Sequence, residues 1–168
     1  MKSVFISIKP QWCELIAKGE KTLEVRKTRP KMETPFKCYI YRTKGKVKHI
    51  LNGKWFNMPV GGSAIGEFIC DDIRTITASD FIVLQDALNA INGSCISPRE
   101  ARSYAGWKSG SHILLCEDIY GWHITDLKIY DKPKELTEFT GLRKTKFGYE
   151  PVRLKRPPQS WCYVEEVR

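Results

Sequence analysis

Hydrophobic and polar positions alternate from the start of this 168-residue chain. Val4, Ile6 and Ile8 fall on one side of an extended segment and Phe5 and Ser7 on the other, which predicts a strand over Val4–Ile8. Pro10 ends the alternation and suits the first turn of a helix, where its missing N–H would have no partner anyway. Trp12, Cys13, Leu15, Ile16 and Ala17 then form an apolar helical stripe that Gly19 closes. Alternation returns over Thr22–Val25. Leu23 and Val25 should face packed interior, and Glu24 and Arg26 share the opposite face about 7 Å apart. With Lys21 beside them they form a dense mixed-charge group, either a solvated lattice on an outer strand or a site.

Further along, the prolines of Thr28–Phe36 predict a loop, followed by a strand at Lys37–Arg42. Val47–Leu51 and Lys54–Asn57 flank Asn52-Gly53, a dipeptide suited to a type I′ hairpin turn. Ser63–Cys70 reads as a strong strand in which Glu67 interrupts the apolar residues, with Lys21 and Arg26 as candidate partners. Asp80–Asn92 has helical spacing through Phe81, Val83, Leu84, Ala87, Leu88 and Ile91. Ser97-Pro98-Arg99-Glu100 is a capping box that opens a helix running to about Tyr104. His112–Glu117 and His123–Tyr130 are expected strands separated by Asp118–Trp122, with the second ending before Pro133 and Trp122 in the core. Pro133–Phe139 predicts a short helical turn, Gly141–Pro158 an extended basic segment or flap, and Gln159–Val164 a final strand.

These elements define an α+β chain: a small β-barrel or curved sheet of about six strands with two or three flanking helices. We expect a single domain over residues 1–168, with a hairpin insertion near 43–62 and a helical insertion near 80–108. No repeat, nucleotide-binding glycine motif or run of about 20 apolar residues is present, so a membrane span is not expected. The N-terminal alternation is unlike a secretory leader, which points to the cytoplasm.

Charge then narrows the partners. There are 28 Lys+Arg against 19 Asp+Glu, a formal net charge of +9. The cations gather in two stretches, Arg42, Lys44, Lys46, Lys48 and Lys54, and Arg143, Lys144, Lys146, Arg153, Lys155 and Arg156. An anionic partner is expected, RNA or DNA, and two such stretches point to nucleic-acid contact where one alone would read as a solvated loop. The six cysteines and three histidines show no paired ligand spacing. Structural thiols are expected, with no metal and no cofactor.

The segment Ser7-Ile8-Lys9-Pro10 through Gly19-Glu20-Lys21-Thr22-Leu23-Glu24-Val25-Arg26 resembles the opening of the ASCH domain family: a strand, a proline-led helix, then Gly-x-Lys-Thr-x-Glu-x-Arg. Ala64–Phe68 and Trp161–Val164 resemble the family's later strands more weakly. The resemblance implies a PUA-like barrel and a ligand cleft after the first helix, used in RNA-linked regulation or metabolism. One branch, the N(4)-acetylcytidine amidohydrolases, uses a Lys, a Thr and a Glu. Lys21 and Glu67 match two of these, but Glu24 stands where that branch has its threonine. The expected ligand-binding residues are Trp12, Lys21, Glu24, Arg26, Glu67 and Trp161. If the protein is instead a hydrolase acting on a modified nucleoside or RNA, Lys21, Glu24 and Glu67 are its catalytic candidates, with Glu24 orienting a water and a cation stabilising the developing charge.

Overall fold

A computed structural model describes residues 1–51, 54–108, 110, 112 and 115–167, with the backbone alone for 47–51 and 54–60. The chain divides into two compact units. The first comprises Met1–Lys18, Phe36–Ile69 and Asp126–Arg168, the second Gly19–Pro35 and Cys70–Thr125.

The first unit is built on a seven-stranded sheet of β1 (Lys2–Ile8), β3 (Phe36–Arg42), β6 (Ser63–Cys70), β9 (Thr125–Lys134), β10 (Thr140–Thr145), β11 (Gly148–Arg153) and β12 (Trp161–Glu165). Their order is β11-β10-β12-β1-β3-β6-β9, and the sheet is not closed into a barrel. The α+β class is as expected, with more strands than the sequence suggested. β1 pairs antiparallel with β12 and parallel with β3. Parallel neighbours need a crossover, which begins with helix α1 (Pro10–Ala17). Pro10 is at the helix start, Cys13 and Ile16 are its buried residues, and Gly19 takes a φ of +75° after the last turn. β1 is an inner strand, and both of its faces are also covered: residues 3–8 are all buried.

Phe5, Tyr39, Tyr41, Ala64, Phe139 and Val164 form one core of this unit. Phe139 packs 4.7 Å from Phe5 and 5.1 Å from Tyr39, centroid to centroid. β4 (Gly45–Leu51) pairs with β5 (Lys54–Val60) as a separate two-stranded ribbon. The Asn52-Gly53 turn expected there lies outside the described residues. β9 continues through Pro133, where a strand end was expected. It is an edge strand of the sheet, so a residue without an N–H is tolerated there. The basic flap expected after Gly141 is a hairpin of β10 and β11.

The second unit carries a three-stranded sheet in the order β2-β8-β7: β2 (Leu23–Arg26), β8 (Ile119–His123) and β7 (Ile73–Ile76). Residues 118–122, read as a separator, are mostly strand β8, with Trp122 fully buried as expected for a core residue. The strand expected over His112–Glu117 falls partly on residues outside the described set, and Leu115, Cys116 and Glu117 within it are not strand. The helical periodicity of Asp80–Asn92 is broken in two, a 3-10 turn at Ala78–Phe81 and α2 (Leu84–Ala90). The capping box of α3 (Pro98–Tyr104) forms as read: Ser97 N–H donates to Glu100 Oε2 at 2.7 Å, and Glu100 N–H donates to Ser97 Oγ at 3.2 Å. Both helices contribute to a core of Val25, Ile76, Phe81, Ala87, Ala90, Ile91, Ala101, Ala105 and Ile119. No helix among the described residues is long and apolar enough to cross a membrane.

All six cysteines are free thiols; Cys13, Cys38 and Cys70 are buried and Cys95 is exposed. Burial, followed by the charges of Asp71 and Asp72, pushes the Cys70 thiol up to about 12, and burial pushes Cys162 up to about 11. A raised pKa leaves little thiolate near neutrality, and thiolate is the reactive form. With a thiol-specific disulfide reagent near pH 8, Cys95 should label quickly, the half-buried Cys162 more slowly, and the buried Cys70 only on unfolding. Peptide mapping that found the three reacting at similar rates in the folded protein would contradict this packing.

Candidate functional site

The Gly-x-Lys-Thr-x-Glu-x-Arg segment enters β2 through a turn built at the far end of α2. The N–H groups of Thr22 and Leu23 both donate to the carbonyl of Gly93, at 2.9 and 3.0 Å. Gly93 has a φ of +81°, and a β-carbon there would lie 2.3 Å from Thr22 Oγ1. Only glycine meets both demands. The next residue, Ser94, accepts from Lys21 Nζ at 2.5 Å, and Leu23 accepts from the same ammonium at 2.8 Å.

Once β2 is fixed, its two-residue period sorts its side chains. Val25 joins the core under the helices, and Leu23 shares that face. Glu24 and Arg26 point to the other face as expected, yet they are not a solvated lattice. Lys21, Glu24 and Arg26 are only 3%, 5% and 9% exposed. Glu24 Oε1 pairs with Arg26 Nη2 at 2.9 Å, and Glu24 Oε2 lies 3.4 Å from Lys21 Nζ. Oε2 is buried and has no hydrogen-bond partner among the described residues. The carboxylate is thus held ionically between two cations, with Lys21 further anchored by two carbonyls.

On that same sheet face, cross-strand pairing sets Glu24 opposite Trp122 and Arg26 opposite Tyr120, with Ile73 beyond Trp122. Tyr120, Ile73 and Asp72 line a cavity of about 960 Å³ whose remaining wall is the loop Lys27 to Thr34. The exposed cations Lys27, Arg29 and Lys31 alternate along this loop. The Arg29 guanidinium lies 5.7 Å from the Tyr120 ring centroid and the Lys27 ammonium 5.4 Å from that of Tyr104, cation–π geometry in both cases. Lys27, Arg29, Lys31 and Tyr120 were not singled out from the sequence. The available signal was a cation at every second residue directly after the motif.

A second polar cavity, about 450 Å³, is lined by Thr22, Leu23, Asp72, Arg74, Asn89, Asn92 and His123. Arg74 donates to the Asn89 carbonyl at 2.9 Å, and His123 Nδ1 lies 2.7 Å from Asp71 Oδ1. Among the described residues no cluster of three or more His, Cys, Asp or Glu could hold a metal ion.

The structure therefore brings Lys21, Glu24 and Arg26 together within the second unit. Glu67, Trp12 and Trp161 belong to the first. The expected partners of Glu67 were Lys21 and Arg26. Its carboxylate is instead engaged by Lys37 at 3.5 Å and by the Tyr130 hydroxyl, which donates at 2.6 Å. Lys37 also pairs with Glu166 at 3.3 Å. Burial works against the charge of Lys37, but Glu166 and Glu67 outweigh it and hold the ammonium above its ordinary pKa. Burial and then the neighbouring Glu67 push the Tyr130 phenol well above its usual value. Trp12 is half-buried on α1. Trp161, half-buried on β12, packs edge-on against Tyr163 at 5.3 Å.

This architecture is that of an ASCH-like fold. It is similar to the crystal structure of the ASCH protein of Zymomonas mobilis, with a TM-score of 0.55 and 18% identity over 98% of this chain and 88% of that one. A tyrosine-to-phenylalanine variant of that protein gives 0.55 and 18%, covering 99% and 92% of the two chains. A serine-to-alanine variant gives 0.53 and 16%, covering 98% and 89%. No family model and no curated protein matches the sequence.

Removing one member of a buried ion pair leaves the other charge desolvated and unpaired, which typically costs about 3–5 kcal/mol. Arg26→Ala should lower the stability of the second unit by that order in urea unfolding. Lys27→Ala, one residue on but exposed, should change it by less than about 0.5 kcal/mol. Equal effects of the two substitutions would remove the cluster from its structural role.

Proposed function

We propose that this is an RNA- or nucleotide-binding protein of the PUA-like kind, acting in RNA-linked regulation or metabolism, and that its ligand enters the cavity walled by Lys27–Thr34. The observation that carries this reading is the alternation of Lys27, Arg29 and Lys31 around a cavity of about 960 Å³ that also presents Tyr120. Cations on a short loop suit phosphate oxygens, and an aromatic side chain beside them suits a base or ribose. The ASCH-like fold supports the same reading by likeness alone.

Lys21, Glu24 and Arg26 contribute from behind. Nearly without exposure, they lock β2 and so fix where the loop begins. The commitment of Lys21 to two carbonyls and Glu24 favours binding over the amide hydrolysis that the lysine's counterpart performs in the amidohydrolase branch.

The test is fluorescence anisotropy with a labelled single-stranded RNA across a salt series. Affinity should fall linearly in log–log form, and the double substitution Arg29→Ala with Lys31→Ala should reduce the slope by roughly 1–2. Lys132→Ala, an exposed cation on β9, is the control. If the control reduces the slope as much, attraction is diffuse and the cleft has no special part.

A further inference from the structure

The second basic stretch of the sequence has no part in the cleft just described. Its residues up to Arg153 form the β10–β11 hairpin, where Arg143, Lys144, Lys146 and Arg153 are exposed and Phe147 stands out at the turn. Register decides which of these side chains share a face. Gly141 pairs with Val164, a core residue, so Lys144, an odd number of residues on, projects to the opposite face. Tyr149 pairs with Lys144, and Arg153, four residues along β11, lies on the same side. On β12, Tyr163 and Trp161 alternate with the inward Val164, and β1 adds Lys2 to their row.

Three aromatic rings meet on this face. Tyr149 and Tyr163 pack at 5.4 Å with planes 81° apart, and Trp161 packs on Tyr163 at 5.3 Å. The Lys2 ammonium sits 4.5 Å from both tyrosine centroids. On β1 the same face is closed, since Val4 and Ile6 are fully buried, but it opens toward β11, where Tyr149 is 38% exposed. Glu165, opposite Lys2, is the acid that bounds the basic row.

We infer that this face is a stacking platform for single-stranded nucleic acid, with bases on Tyr149, Tyr163 and Trp161 and phosphates on Lys2, Lys144 and Arg153. Aromatic rings interleaved with cations are what a flexible polyanion with exposed base faces requires, and stacking tolerates any sequence. The charge of the row selects a polyanion over an apolar or basic partner. The platform extends the RNA-binding reading to a second surface, in the first unit, and does not depend on the cleft.

The experiment titrates labelled oligouridylate and oligoadenylate of about twelve nucleotides, within the reach of such surfaces. Tyr149→Leu and Trp161→Leu should each weaken binding roughly tenfold with the salt slope unchanged, and Tyr149→Phe, which keeps the ring, should bind like the parent. Lys144→Ala and Arg153→Ala should each lower the slope by about 0.7. A duplex RNA of the same length should compete poorly, its bases being stacked already. The inference is overturned if Tyr149→Leu and Trp161→Leu both bind like the parent, if the duplex competes equally, or if the parent binds neither oligonucleotide. Loss of affinity in Arg29→Ala with Lys31→Ala but not in the ring variants would leave the cleft standing and remove the platform. The reverse pattern would do the opposite.

Discussion

Glu24 sits between Lys21 and Arg26 at a depth where water does little for any of the three, and the local structure is arranged around that fact. Desolvating three charges is costly, and in a poorly hydrated site the return comes only from close pairing. Arg26 supplies one such pair at 2.9 Å, and Lys21 supplies a looser one at 3.4 Å. The rest of the ammonium's hydrogen-bonding capacity goes to the carbonyls of Leu23 and Ser94. Ser94 can be there only because Gly93 turns the chain with a positive φ and lets the start of β2 hydrogen-bond to its carbonyl. The ion cluster, the turn after α2 and the position of β2 are therefore one constraint. Where β2 ends, the loop bearing Lys27, Arg29 and Lys31 must begin.

The parts of this arrangement that were legible in the sequence are those with local causes. Pro10 and Gly19 bracket α1, and Ser97 with Glu100 opens α3, because caps act over three or four residues. The sidedness of Leu23, Glu24, Val25 and Arg26 follows from the pleat alone. What local pattern does not carry is depth. The same alternation describes a strand washed by solvent and one covered on both faces, so neither the burial of Glu24 nor that of all of β1 after Lys2 was visible. The split of Asp80–Asn92 into a 3-10 turn and α2 was hidden for a related reason, since Val83 and Leu84 keep the helical spacing while remaining exposed. Partners distant in the chain were hidden altogether: Glu67 finds Lys37 and Tyr130, and Lys21 finds Ser94, across intervals that no motif spans.

The distribution of charge shows the same limit. Counting cations along the chain picked out two stretches of similar weight, but folding gives them different company. Lys44 and Lys46, from the first, line a cavity of about 450 Å³ with Lys9 and Glu14, where a carboxylate offsets some of their charge. Arg143, from the second, is offset in part by Glu150 at 3.5 Å, an exposed pair of little energetic weight. Lys144 and Arg153 lie instead on the sheet face that carries Tyr149. Lys27, Arg29 and Lys31 escaped notice because threonine and proline separate them, although alternation is what lets a loop present each cation to one side.

Charge near a surface acts at range only when it is not neutralised at its origin. Within the motif Glu24 is buried between Lys21 and Arg26, paired closely with Arg26 and more loosely with Lys21. The cations that follow, Lys27, Arg29 and Lys31, are exposed, and salt limits the reach of their field to about a Debye length. The sequence motif is therefore an internal clamp more than a contact surface. It places a short basic loop beside Tyr120, on a cavity that Glu33 and Asp72 also line. On the reading proposed above, the residues that meet an anion stand just outside the Gly-x-Lys-Thr-x-Glu-x-Arg segment.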